Sequence, residues 1–501
     1  MASITAARLS TRFAIRASKL LEDSLICRRC MHQRSAPELY KSAKRSPFYR
    51  HSSSQDITSC ATARRCGRCI ESFTAEARKA SCKEERIAAY EKARQQFHRG
   101  LTSKYVAYWL LGSAASVFGI VIFGGLTRLT ESGLSITEWK PITGSVPPRS
   151  KEEWEAEFAK YKASPEFIML NSRMDLDDFK RIYWMEWIHR QWGRIVGITF
   201  LLPTIGFIAT RRVSNTMAIR LVGICGLIGF QGFLGWWMVK SGLKDDLLEP
   251  GSHPRVSQYR LAAHLGTAFV TYVAMLWNGL RILQMHSLLN SADADAVVKA
   301  ATSRQLTGFR RSVAGLSILV FTTVMSGALV AGLDAGMIYN DFPWMGQGLL
   351  PPKSEMLDPF YSRHESRSDL LWRNMLENPV LVQLDHRVLA TTTFCSVLAL
   401  WAYSRRSALR PLLKQTGASK GVLGLVHLVS LQVTLGITTL WYLVPTPLAS
   451  AHQAGALLLL SGVVVLATRV SLPKRLVAAV RAAQRQALWQ SRNARVRVRE
   501  N

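Results

Sequence analysis

Eight stretches of this chain stay apolar for about 20 residues each, the length an α-helix needs to cross a hydrocarbon core. They are residues 105–127, 190–210, 218–239, 260–284, 312–333, 387–404, 421–444 and 448–468. A soluble chain with the same 48% hydrophobic content would spread those residues at helix or strand period. Here they stand in blocks, with charge confined to the joins. Backbone groups in hydrocarbon have no water to bond, so each block must satisfy its own N–H and C=O groups, as a helix does. The patterning predicts an all-α membrane protein with eight transmembrane helices.

The formal charge of +30 would suit a nucleic-acid partner if it were spread over a folded surface. It sits mostly at the two ends: residues 1–104 carry 22 Lys/Arg against 9 Asp/Glu, and 469–501 carry 9 against 1. Basic flanks beside membrane spans fit the positive-inside bias and anionic lipid headgroups, so the partner of this charge is membrane lipid and not nucleic acid. At the start, Arg8, Arg12, Arg16 and Lys19 share one helical face, Leu9, Phe13, Ala17 and Leu20 share another, and no acid precedes Glu22. A basic amphipathic helix of this kind predicts a mitochondrial presequence, placed at 1–50, followed by a polar basic matrix segment at 51–104.

Cysteines do not hold the fold. Cys27 and Cys30, then Cys66 and Cys69, form two Cys-x-x-Cys pairs in the polar region, without the further ligands a zinc site needs. Cys225 and Cys395 fall within apolar runs and read as small core residues.

The joins alternate in charge. Arg211, Arg212 and Arg220, the stretch 281–311 and the stretch 405–420 are basic, whereas the long joins 128–188 and 334–385 are not. Both ends and the basic joins therefore belong to the matrix side, and the long joins to the intermembrane space. Within the first long join, Ser150 and Glu153 are spaced as a capping box, and Trp154, Phe158 and Tyr161 as one helical face, which predicts a short surface helix.

The spans also repeat. His189 and His386, Gln231 and Gln432, His264 and His452, and Gly124 and Gly327 are separated by 197, 201, 188 and 203 residues, read from their numbers. So steady an offset indicates duplication of a four-helix unit: one bundle at 105–285, a second at 310–470, and a basic matrix tail at 471–501. His189, His264, His386 and His452 each fall in the first turn or two of a span entering from the same side, two per bundle at one depth. Ionisable groups inside a bilayer are costly and mark function. Histidine pairs on facing helices suit haem iron, so the set predicts two haem sites side by side. His427 has no repeat partner and reads as structural, as do His253, His286 and His364, which read as loop residues.

The run Gly-Gly-Leu-Thr-Arg-Leu-Thr-Glu-Ser-Gly-Leu-Ser at 124–135, Glu186-x-x-His189-Arg190, the four histidines and the doubled layout closely resemble mitochondrial haem A synthases, the Cox15/CtaA family. The resemblance covers roughly residues 100–470. It implies oxidation of the C8 methyl of haem O to the formyl group of haem A, for cytochrome c oxidase. It further implies that His386 and His452 hold a haem b cofactor, that His189 and His264 line the haem O site, and that Glu186 is the catalytic carboxylate. Its partners would be haem O, a ferredoxin-type electron donor, haem O synthase and cytochrome c oxidase assembly factors, with room for a homo-oligomer. Outer-loop cysteine pairs found in some bacterial members are missing from 128–188 and 334–385.

Iron must carry the hard oxidation step, since side chains lack the redox equivalents. Glu186, three residues before His189, shares its helical face and is placed to take protons, with burial expected to raise its pKa. Arg190 and Arg387 each follow a ligand histidine and are candidates for pairing with haem propionates. A di-haem electron carrier or a haem chaperone is the competing reading. Glu186 in one half against Gln383 in the other favours an enzyme.

Overall fold

The computed structural model describes residues 101–140, 146–244, 254–291 and 293–482. The presequence expected at 1–50, both Cys-x-x-Cys pairs, His253 and the end of the basic tail lie outside them. Eight long helices carry the described chain: α1 Lys104–Leu129, α2 Leu176–Ala209, α3 Asn215–Gly242, α4 Gln258–Leu289, α5 Leu306–Gly332, α6 Pro379–Ser404, α7 Ala418–Trp441 and α8 Thr446–Val470. Their starts carry residues that meet the free N–H groups of a first turn. The side chains of Ser103, Asp175, Ser214 and Asn378 accept from the backbone of α1, α2, α3 and α6, and Pro379 follows the last of these. No extended strand occurs among the described residues, which make only one isolated bridge, Met345 to Gly348.

Six of these helices, α1, α2, α3, α5, α7 and α8, are long and apolar enough to cross a membrane, where the sequence pattern predicts eight. The other two are as long but carry more polar side chains. Arg260, His264, Asn278, Arg281 and Gln284 stud α4, and Gln383, Asp385, His386 and Arg387 stand together in α6. Two of those on α4 bond helix neighbours: Asn278 Oδ1 accepts from Arg220 on α3 at 2.9 Å, and Gln284 Nε2 donates to the Thr468 carbonyl at 2.6 Å.

In one ring, α1 packs on α2, α2 on α3, α3 on α4 and α4 back on α1; α5, α6, α7 and α8 close a second ring in the same order. The rings meet where α4 touches α5 and α8, and where α1 touches α8. The main apolar core fills the half of the helices that begins at α1, with Val106, Leu110, Phe200, Leu221, Met275, Phe309, Val397, Leu425 and Val463 all buried. The exterior is apolar too: Ile219 is 74% exposed and Ile318 69%. An outward apolar face of this kind needs lipid tails as its solvent. In lipid, helix association rests on close packing and on interhelical hydrogen bonds.

Several threonines in these helices are satisfied locally. Thr127, Thr271, Thr391 and Thr434 each bond the carbonyl four residues back, which removes the cost of a bare hydroxyl in hydrocarbon. Pro203 inside α2 cannot donate to the Thr199 carbonyl. The indole N–H of Trp109 on α1 donates there instead, at 3.2 Å. Cys225 is half-buried against the core, but Cys395 is exposed, so it is no core residue. His286 lies inside α4 rather than in a loop, with Nε2 2.9 Å from the Thr102 carbonyl.

Before α2, the helix Lys151–Lys162 starts at the expected capping box: Ser150 Oγ accepts from the Glu153 N–H at 3.2 Å, and Glu153 accepts from the Arg149 N–H at 2.6 Å. Phe158 and Tyr161 pack on Phe179 and Tyr183 of α2, with Trp154 against Tyr183. That aromatic cluster explains why α2 begins at Leu176, well before its apolar run at 190.

Candidate functional site

Each of the four histidines lies away from the main core, with its ring laid against a glycine of the preceding helix in its ring. A Cβ built on Gly124 of α1 would stand 2.7 Å from Cε1 of His189 on α2, and on Gly235 of α3, 3.3 Å from Cε1 of His264 on α4. In the second ring, a Cβ on Gly327 of α5 would stand 3.1 Å from Cε1 of His386 on α6, and on Gly436 of α7, 2.9 Å from Cε1 of His452 on α8. Bare backbone is what lets an imidazole lie this close to a helix. The pattern repeats at the duplication offset, and Gly235 and Gly436 could have been found from it. His189 is not in the first turn or two of its helix. It lies more than three turns into α2, because the helix extends outward over the aromatic cluster.

The second pair faces itself. The rings of His386 and His452 have centres 6.5 Å apart and planes at 83°. Nδ1 of His386 is 2.8 Å from Ser326 Oγ, and Nδ1 of His452 is 3.1 Å from Nε2 of Gln432. The first pair is dressed differently. Phe123 stacks beside His189, centres 6.5 Å apart and planes at 11°. Nδ1 of His189 and Nδ1 of His264 are buried with no hydrogen-bond partner. Gln231 reaches only the backbone carbonyl of His264, at 3.0 Å.

Glu186 is buried, and four donors converge on its carboxylate. Arg190 donates from Nε at 3.0 Å and Nη2 at 2.6 Å, Ser135 Oγ at 2.7 Å and the Ile136 N–H at 2.8 Å. The carboxylate thus ties the glycine-marked segment after α1 to α2. Gln383 does the same work in the second ring, donating to the Tyr339 carbonyl at 2.9 Å, while its own Oε1 has no partner. The arginines that follow His189 and His386 hold the same segments. Arg190 donates to the Ile136 carbonyl at 2.8 Å and Arg387 to the Tyr339 carbonyl at 2.8 Å. Nε of Arg387 stays buried without a partner.

Outside the spans, Glu166 is buried under this segment and accepts from the Tyr161 hydroxyl at 3.0 Å. Burial pushes its carboxyl up to about 8, and the charge of Glu186 adds to the effect.

Four half-buried imidazoles thus lie on bare glycine backbone, two in each ring of helices, and the rings of His386 and His452 face each other. Among the described residues no cluster of three or more His, Cys, Asp or Glu could hold a metal ion alone. Residues 107–464 match the cytochrome oxidase assembly protein family, COX15-CtaA. The chain belongs to this family. Heme A synthase COX15 of Saccharomyces cerevisiae is 51% identical over 376 residues, 74% of this chain and 76% of that protein. Heme A synthase COX15 of Homo sapiens is 45% identical over 361 residues, 72% of this chain and 81% of that protein. A Heme A synthase-mitochondrial ferredoxin fusion protein of Schizosaccharomyces pombe is 52% identical over 376 residues, and the chain spans 60% of its length. The family match covers all four histidines, Glu186 and both arginines.

Proposed function

We propose that this chain is the mitochondrial membrane oxidoreductase that converts haem O to haem A, with haem O between His189 and His264 and a haem b between His386 and His452. The His386–His452 pair carries the reading. Its two rings face each other from α6 and α8 with centres 6.5 Å apart, and a histidine pair of this kind would hold haem iron. Bound there, haem b supplies the one-electron redox chemistry that side chains lack.

The chain's own residues position the substrate and handle protons. Glu186 stands one turn before His189 on the same helical face and is the carboxylate assigned to take the proton released from the oxidised methyl. Gln383, at the matching place, has no proton to take. The free Nε of Arg387 is the donor assigned to a propionate; Arg190, at the matching place in the first ring, already gives its Nε to Glu186 and would share its donors with a propionate.

All eight long helices cross the inner membrane in this reading, in two four-helix bundles at 105–285 and 310–470, with both ends in the matrix. The basic ends and basic inner joins support that orientation. A ferredoxin-type donor is supported by the fusion in the Schizosaccharomyces pombe relative; haem O synthase and cytochrome c oxidase assembly factors complete the set of partners. A di-haem carrier would want two alike sites, and the two pairs differ in their Nδ1 partners and in Glu186 against Gln383.

The test is haem extraction from purified His386→Ala and His189→Ala variants. His386→Ala should lose haem b, whereas His189→Ala should keep it and accumulate haem O. Equal losses of haem b in the two would refute the division of roles.

A further inference from the structure

A ladder of three hydroxyl residues on α5 and α6, joined through the Thr323 backbone carbonyl, leads to the second histidine pair. Thr393 on α6 and Thr323 on α5 share a hydrogen bond at 2.8 Å. One turn along α5, Ser326 Oγ donates to the Thr323 carbonyl at 2.7 Å and lies 2.8 Å from Nδ1 of His386. A hydroxyl has one proton to give. With that proton on the Thr323 carbonyl, Ser326 meets His386 as an acceptor. The imidazole then carries its own proton on Nδ1 and leaves the Nε2 lone pair free. Metal ligation needs that lone pair, and the hydrogen bond on the far nitrogen decides which nitrogen offers it.

The first ring has no such ladder. At the duplication offsets, Thr393, Thr323 and Ser326 are matched by Val196, Ile120 and Phe123. The register is fixed by structure as well as by number: Gly124 and Gly327, next to Phe123 and Ser326, abut His189 and His386. Phe123 stacks beside His189, whose Nδ1 is left without a partner. One half thus tethers its histidine through a hydrogen bond and fixes its tautomer, while the other leaves Nδ1 of its histidine without a partner.

We propose that Ser326 is the positioning residue that makes His386 a permanent ligand of haem b, and that Phe123 in its place leaves His189 able to release its haem. The proposal rests on the assignment of haem b to His386 and His452 made above. An acceptor on Nδ1–H makes Nε2 a stronger base, which favours ferric over ferrous iron. It also holds the ring in place before haem binds, so less freedom is lost on binding. A cofactor site gains from both. A site that takes in haem O and gives up haem A is better served by a ring without the tether.

The experiment uses the full chain in detergent, comparing the native protein with Ser326→Ala, Ser326→Cys, Ser326→Thr and His386→Ala. Three things are read: haem b per chain, the haem b midpoint potential, and the ferric electron paramagnetic resonance spectrum. Ser326→Ala should bind ferric haem b about tenfold more weakly. If that loss falls on the ferric form alone, the potential rises by about 59 mV. Ser326→Cys, of similar shape but a weaker acceptor, should give a smaller rise. Ser326→Thr, which keeps the hydroxyl, should restore the native potential and spectrum. An unchanged potential in Ser326→Ala, or a shift that Ser326→Thr does not reverse, overturns the proposal, provided His386→Ala loses its haem b. Full retention of haem b by His386→Ala instead overturns the underlying assignment.

Discussion

The backbone N–H of Ile136 donates to the buried carboxylate of Glu186 at 2.8 Å across fifty residues of sequence. At the equivalent place in the second half, the Tyr339 carbonyl accepts from Gln383 at 2.9 Å. One half presents a backbone donor and meets it with a carboxylate; the other presents an acceptor and meets it with an amide. The Glu186 and Gln383 difference is therefore matched to the loop each one holds, as well as to the presence of a proton acceptor.

Glu186→Gln tests both roles. The amide oxygen can still accept from one or two of the four donors, so the chain should fold and keep its haem b. Haem A formation should fall by about 100- to 10,000-fold, the usual contribution of a general base. Chromatography of extracted haems gives haem O, the hydroxylated intermediate and haem A from one sample. Native levels of haem A would remove Glu186 from the chemistry and leave it as a clamp.

The glycines beneath the histidines should respond to alanine in the order of their clearances. The added methyl would stand 2.7 Å from the imidazole at Gly124, 2.9 Å at Gly436, 3.1 Å at Gly327 and 3.3 Å at Gly235. Overpacking costs about 1–3 kcal/mol, here taken up by turning the ring. Gly436→Ala should lower haem b content; Gly124→Ala should leave haem b in place and lower haem A. Gly235→Ala should be mildest. Spectra of the purified variants check this, and a Gly124→Ala protein that loses haem b while keeping its activity would contradict the assignment of sites.

Glu166 sets a pH dependence on the outer segment. Its folded carboxyl keeps its proton up to about 8, against 4.5 when free of the fold. Its stabilising contribution is thus fully present below about pH 4.5, is lost as pH rises towards 8, and stays lost above that. Opening of the 150–171 segment should grow by up to about tenfold per pH unit within that window. Hydrogen exchange of that segment between pH 5 and 9 measures it. Glu166→Gln should flatten the profile, and a native profile that is already flat would show that Glu166 does not govern this segment.

What the sequence by itself determined is what depends on segments taken singly. Apolar runs marked the helices because transfer into lipid is decided within each run, and the steady offset of the histidines marked the duplication without knowledge of any contact. The capping box at Ser150 and the aromatic face of the helix after it were legible for the same local reason. The tertiary structure decided whatever depends on which helix lies beside which. It extended α2 outward to Leu176, since Phe179 and Tyr183 pack on residues from another helix. It set Gly235 and Gly436 beneath imidazoles and turned Arg190 and Arg387 onto loop carbonyls. It also gave Ser326 to His386 and Phe123 to His189. Serine and phenylalanine in an apolar run cost little in any one helix. Their consequence arises only when a neighbouring helix brings an imidazole beside them, 2.8 Å from Ser326 and stacked on Phe123, and that placement is a property of the packed bundle.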